Sequence, residues 1–315
     1  MKGLEVSHLQ KSYGDLKAVD DLSFHVDPGE IFGLIGPNGA GKSTTMLIIV
    51  GLLKADGGAV TFDGQRANSR DAEMRSHLGI VPQELAIYPE LTAVQNLRFF
   101  GRLQGLRGRH LEERIEYVLN LTGLTPNADH TLNTFSGGMS RRLNFGIALL
   151  HEPRFVVLDE PTVGIDPQSR TNLLDSVQEL SRHGVGVLYA SHYMEEVEAI
   201  CHRVAIIDRG RLLRQGTLDE LQDRTRFDVV IRVTALPAEV ATRLDSGAEV
   251  RSEPDGTTSI MVHESLESQQ AGRSDRLRAV LALLEEAHVP LLEIKSQDSS
   301  LETLFLQLTG RTLRD

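Results

Sequence analysis

Residues 36 to 43 read Gly36-Pro37-Asn38-Gly39-Ala40-Gly41-Lys42-Ser43, a complete GxxxxGKS loop that directly follows the apolar run Ile31-Phe32-Gly33-Leu34-Ile35. Between a buried strand and a helix, such a loop exposes backbone N–H groups that surround a polyphosphate, and the positive end of the helix adds to the attraction. Lys42 is then placed to reach the β and γ phosphates and Ser43 to hold Mg2+, with Gly36, Asn38, Gly39, Gly41 and Thr44 lining the nucleotide. The loop calls for a nucleoside triphosphate but does not name the machine, because GTPases, kinases, helicases and transport ATPases share it.

Two further segments carry matching chemistry. Phe155-Val156-Val157-Leu158-Asp159-Glu160 reads as a buried parallel strand with carboxylates at its C-terminal end. Asp159 can hold Mg2+ through its water shell, and Glu160 can take a proton from an attacking water. Apolar runs ending in acids are common, so this segment alone does not decide for catalysis. Upstream, Ser136-Gly137-Gly138 opens an apolar helix and offers a hydroxyl and unpaired N–H groups, which is a second anion site in the same chain.

Phe135-Ser136-Gly137-Gly138-Met139 resembles the signature motif of the ABC ATPases, usually Leu-Ser-Gly-Gly-Gln, with Phe135 and Met139 as its departures. The resemblance implies roles for residues that mean little alone. Tyr13 would stack on adenine, where otherwise it is a partly buried core tyrosine. Gln83 would contact Mg2+ and the attacking water, Asp166 would cross a dimer interface, and His192, in its Ser-His pair, would contact the γ phosphate. ATP would be bound in a head-to-tail homodimer, with Lys42 and Ser43 of one copy facing Ser136, Gly137 and Gly138 of the other. Ser136 to Arg142, the Pro161 to Pro167 segment and the closing Ser300 to Arg311 also resemble the daunorubicin/multidrug-resistance type of ATP-binding subunit. That type implies a separate membrane permease, export of drugs, lipids or polysaccharides, and a place at the cytoplasmic face of the membrane.

Composition restricts the alternatives. The 315 residues are 40% hydrophobic and carry a net charge of −11, which leaves no overall electrostatic footprint for a nucleic-acid backbone. A soluble ABC ATPase acting on nucleic acid or ribosomes is therefore the second reading, and no Asn-Lys-x-Asp guanine motif supports a GTPase. The single cysteine, Cys201, excludes an intrachain disulfide. No stretch approaches the roughly 18 to 20 apolar residues of a membrane helix, and the start of the chain lacks the apolar core of a signal peptide.

The elements that must position these residues give an α/β fold: a P-loop NTPase (ABC ATPase) domain with a helical subdomain, and a small C-terminal α+β ferredoxin-like domain. The first is expected over residues 1–222. It should begin with short antiparallel strands at Leu4 to Ser7, Leu22 to Val26 and Ala59 to Phe62. A helical insertion should run from Leu91 to Leu121, with the aromatics Tyr88, Phe99 and Phe100 read mainly as core and otherwise as a partner's groove. Over residues 223–315 the order is strand (Phe227 to Thr234), helix (Pro237 to Leu244), two strands around an Asp255-Gly256 turn, helix (Ser274 to Ala287) and strand (Pro290 to Ser296). A last helix should open on a Ser299–Glu302 capping box and carry a stripe of Leu301, Leu304, Phe305 and Leu308.

Overall fold

The computed structural model describes residues 3–66, 76–221, 226–244, 248–253, 256–265, 275–298 and 300–309. The chain divides into two compact units, Met1–Leu218 with Leu308–Asp315, and Asp219–Gln307. The expected boundary between residues 222 and 223 lies outside the described residues.

In the first unit, β1 (Leu4–Tyr13) and β2 (Leu16–Val26) form a long antiparallel hairpin, extended by β4 (Gly57–Phe62) and β5 (Gln65–Arg66) in the order β2-β1-β4-β5. Its inward-facing Leu4, Val6, Leu22, Phe24 and Val60 share one core with Phe32 and Leu34 of β3 (Ile31–Ile35) and with Met46 and Ile49 of α1 (Lys42–Ile49).

A second, six-stranded sheet runs β10-β9-β3-β8-β7-β6, built from β6 (Leu78–Val81), β7 (Phe155–Asp159), β8 (Gly186–Ala190), β9 (Arg203–Asp208) and β10 (Arg211–Thr217) with β3. β3 and β8 are buried at every position and β7 at all but Asp159, as parallel strands covered on both faces must be. Their pairing is parallel from β6 to β9, so all their C-terminal ends emerge along one rim. The phosphate loop, the acidic pair, the Ser191-His192 pair and the Gln83 segment follow β3, β7, β8 and β6 respectively.

The helical insertion consists of α2 (Ala93–Leu103) and α3 (Gly108–Leu121), packed with α4 (Gly137–Ala148). Thr92 and Gln95 start α2 with a reciprocal capping box. The inward stripe of α2 is narrow, made of Ala93, Asn96, Leu97 and Gly101, and Leu111 of α3 fills the space that a Cβ on Gly101 would take. Of the aromatics expected as core, Tyr88 and Phe99 instead face outward and Phe100 is half-buried. Tyr88 and Phe99 are exposed and stack edge-on at 5.1 Å, with Phe100 5.2 Å from Phe99, and Leu103 lies open on the same helix. Buried Asn96 holds the segment after Gln83 to α2: its side chain accepts from Tyr88 N at 2.9 Å and donates to the carbonyls of Tyr88 and Thr92.

Among the described residues the first unit also holds α5 (Pro167–Arg182) and α6 (Met194–Ile200), and the short α7 (Leu218–Leu221) runs across the division. The second unit follows the order β11 (Arg226–Val233), α8 (Ala238–Arg243), β12 (Ala248–Ser252), β13 (Thr258–Ser265), α9 (Asp275–Glu286) and β14 (Leu291–Asp298). Its antiparallel sheet is ordered β12-β13-β11-β14. Alternate residues Val229, Ile231 and Val233 face Val240, Val280 and Leu284 in its own core. Asp255, Ser274 and Ser299 lie outside the described residues, whereas Gly256 has the positive φ of 82° that suits a turn. The cap on α10 (Leu301–Thr309) is Ser300, whose hydroxyl accepts from Thr303 N at 3.3 Å. Of the expected stripe Leu301 and Phe305 are fully buried, while Leu308 is exposed.

Truncating buried Asn96 removes the side chain that pairs with the Tyr88 amide and with the Tyr88 and Thr92 carbonyls, so Asn96→Ala is expected to cost about 1–3 kcal/mol. Denaturant unfolding of the full chain checks this.

Candidate active site at the rim of the parallel sheet

The phosphate loop needs its glycines for room as much as for torsion. A Cβ on Gly36 would lie 2.4 Å from the Ile207 carbonyl, and one on Gly41, at φ 102°, 2.2 Å from that of Ala18. Gly41 is the N-cap of α1 and supplies no side chain, so the first N–H groups of α1 remain available to an anion. Asn38 and Gly39 are exposed at the tip of the loop, and Thr44 follows within the first turn of α1.

Lys42 is buried and folds back over the loop, donating to the carbonyls of Gly36 at 2.7 Å and Pro37 at 3.2 Å. Burial lowers its pKa, against the pull of the Glu160 and Asp159 charges. Burial raises the Asp159 carboxyl above its ordinary value, against the opposing influence of the nearby Ser43 hydroxyl. A hydroxyl and a half-buried carboxylate are hard oxygen donors, and a divalent cation would offset the carboxylate's desolvation, so Ser43 and Asp159 fit Mg2+.

Glu160 is the centre of the site. It is buried and adopts a left-handed φ of 48°, with its N–H donating to the Ala190 carbonyl at 3.0 Å. One carboxylate oxygen lies 3.3 Å from His192 Nδ1 and 4.0 Å from Lys42 Nζ, and the other accepts from Gln83 Nε2 at 3.3 Å. The four residues expected to act in catalysis thus meet on one carboxylate.

Ser136, Gly137, Gly138 and Asp166 form a separate group at the starts of α4 and α5. The Ser136 hydroxyl caps α4 by accepting from Met139 N at 3.2 Å, and Asp166 caps α5 by accepting from Ser169 N at 2.9 Å. These bonds from Ser169 hold the Asp166 carboxyl below the usual carboxylate range. The two helices touch where a Cβ on Gly138 would sit 2.2 Å from Ser169 Oγ. Among the described residues no hydrogen bond or ion pair joins this group to Lys42, Ser43 or Asp159.

Tyr13 is exposed at the end of β1, with Lys11 Nζ 5.7 Å above its ring. Its hairpin reaches the phosphate loop through Ala18, against Gly41. Two contacts escaped the sequence reading: the Arg141 guanidinium donates to the Gln83 carbonyl, and Asn144 Oδ1 accepts from Ala86 N at 3.2 Å. They tie the Gln83 segment to α4. The adjacent arginines after Met139 were the available signal, but only the folded arrangement shows what they meet.

A family model described as "ABC transporter" matches residues 19–163. The linearmycin resistance ATP-binding protein LnrL of Bacillus subtilis is 43% identical over 99% of this chain and all of its own length. The chain belongs to the ABC transporter family. Other relatives of this ABC ATPase include the Nod factor export ATP-binding protein I of Sinorhizobium fredii, 37% identical over 99% of this chain and 87% of its own. The daunorubicin resistance ATP-binding protein DrrA3 of Streptomyces coeruleorubidus is 34% identical over 98% and 96%. Among solved structures, a dimeric ATP-binding cassette in a post-hydrolysis state, bound to ADP and Pi, superposes with a TM-score of 0.62 at 25% identity, covering 68% of this chain and 98% of that one. Among the described residues of this ABC ATPase no helix is long and apolar enough to cross a membrane.

Removing the Lys42 ammonium deletes the one cation held inside the phosphate loop. Lys42→Ala is expected to weaken ATP binding by at least about tenfold, or 1.4 kcal/mol, in equilibrium titration with a fluorescent nucleotide.

Proposed function

We propose that this chain is the ATP-hydrolysing subunit of an ABC exporter, working as a head-to-tail pair that drives a separate membrane permease. The observation that carries this reading is the convergence of Lys42, Gln83 and His192 on Glu160 at the rim of the sheet. The separate construction of the Ser136 group supports a composite site completed by a second copy.

In this reading Lys42 leaves the carbonyls of Gly36 and Pro37 for the β and γ phosphates of ATP, and Tyr13 stacks on adenine. Ser43, Asp159 and Gln83 would hold Mg2+, which would supply charge neutralisation at the phosphates. Glu160 takes a proton from the attacking water. The oxygen of that water forms a bond to the γ phosphorus as the bond to the bridging oxygen breaks, giving ADP and Pi. His192 and Lys42 steady the γ phosphate, and Ser136, Gly137 and Gly138 of the second copy donate to it. Asp166 lies where the copies would meet.

Phe99, which packs against exposed Tyr88 and half-buried Phe100, lines a cavity of about 330 Å³ with Gln95, Arg98, Arg102 and Leu103, and this surface would receive the permease. The fastening of the Gln83 segment by Asn96, Arg141 and Asn144 would pass movement between that surface and Glu160. The permease would keep this chain at the cytoplasmic face of the membrane. Export is favoured by the linearmycin resistance, Nod factor export and daunorubicin resistance proteins among the relatives, with cargo of the drug, lipid or polysaccharide class as the sequence resemblance implies. The acidic balance of the chain speaks against nucleic acid. We infer an ATPase domain over residues 1–222 and a ferredoxin-like accessory domain over 223–315, supported by the βαββαβ order and by an antiparallel sheet with its first and third strands at the centre.

Glu160→Gln is expected to retain ATP binding and slow turnover by about 10² to 10⁴. Turnover equal to that of the unaltered chain would remove Glu160 from this role.

A further inference from the structure

Behind the catalytic rim lies a buried carboxylate to which no role has been given. Glu196, in α6, is 2% exposed. Its Oε2 accepts three hydroxyl hydrogen bonds, from Tyr189 at 2.7 Å, Thr162 at 2.8 Å and Ser191 at 3.0 Å. All three donors are themselves buried. Its Oε1 lies 3.2 Å from Arg170 Nε of α5, an ion pair out of line for a directed hydrogen bond. The Arg170 guanidinium in turn covers the Tyr193 ring at 4.7 Å, and that ring packs on His192 with centroids 4.2 Å apart. Tyr193 N donates to the same Ser191 hydroxyl at 3.0 Å.

The positions of these donors give the cluster its meaning. Thr162 is two residues beyond Glu160, Ser191 is the neighbour of His192, and Tyr189 is in the strand that ends at Ala190, whose carbonyl holds Glu160 N. Arg170 is four residues beyond Asp166 on the helix that touches Gly138. Glu160 itself stands in a left-handed conformation that a non-glycine residue keeps only when its surroundings impose it. A carboxylate out of water is costly unless fully partnered, and apolar packing would have served stability as well.

We propose that Glu196 is a positioning residue for ATP hydrolysis, its carboxylate clamping the segments of Glu160 and His192 in the register that brings their side chains to 3.3 Å. The clamp rests on the reading of Glu160 and His192 given above. It acts through geometry and does not touch substrate. Arg170 makes it responsive to the α4–α5 contact, and hence to the second copy.

The test is single-turnover ATP hydrolysis by the full chain, with ATP affinity and thermal midpoint measured in parallel. Glu196→Gln keeps an oxygen for the hydroxyls but points an amide donor at Arg170. Small misplacements of reacting groups cost up to about 10²-fold, so a loss of about 10- to 100-fold in rate is expected, with ATP affinity unchanged. In a His192→Ala background the same substitution should cost nothing more, because the geometry it holds has lost its partner. Tyr189→Phe and Ser191→Ala each remove one hydroxyl from Oε2, and give smaller losses with the same dependence on His192. They decide the matter where Glu196→Gln does not fold. Equal slowing in both backgrounds, unaltered turnover, or ATP affinity falling in step with the rate would overturn the clamp. Wild-type turnover in His192→Ala alone would overturn the site reading, and the clamp with it.

Discussion

The rest of the structure depends on strands that water cannot reach from either face. With β3, β7 and β8 buried along their lengths, a polar side chain in mid-strand would lose its hydration without a partner. Polar chemistry is therefore confined to strand ends. Because the strands from β6 to β9 run parallel, those ends share one rim, and segments far apart in the chain become neighbours there. Lys42, Gln83, Glu160 and His192 belong to four different crossovers. What brings them together is the strand order, before any attraction between the side chains.

Motif residues were legible in the sequence because their geometry is largely local. The glycines of the phosphate loop, the cap at Ser136 and the acids ending β7 each need particular residue types at fixed spacing, and the structure places them as the spacing demands. The second unit was similarly readable: alternation along β11 and the amphipathic α9 suffice to give element order. The aromatics were not. Periodicity places Phe99 and Phe100 on a helix but does not say which neighbour is thin enough to pack, and with Gly101 against Leu111 on the inner face Phe99 is left exposed and Phe100 half-buried.

Long-range polar contacts were invisible for a related reason. Arg141 meets Gln83, and Glu196 meets Thr162 and Arg170, only because the fold returns segments remote in sequence to their side. Glu196 has the added disguise of an acid in the first turn of a helix, where dipole compensation explains it adequately. Only burial distinguishes it from its exposed neighbour Glu195.

The resting place of Lys42 has a consequence for the release of nucleotide. Its ammonium is satisfied by the carbonyls of Gly36 and Pro37. Binding of a phosphate by Lys42 would therefore be an exchange of oxygen partners instead of the capture of an unmet cation. Such an exchange caps the affinity at the difference between two sets of oxygens. On the proposed reading of Lys42, it would also give the spent nucleotide an internal competitor for the ammonium, which suits a motor that must empty its site on every cycle.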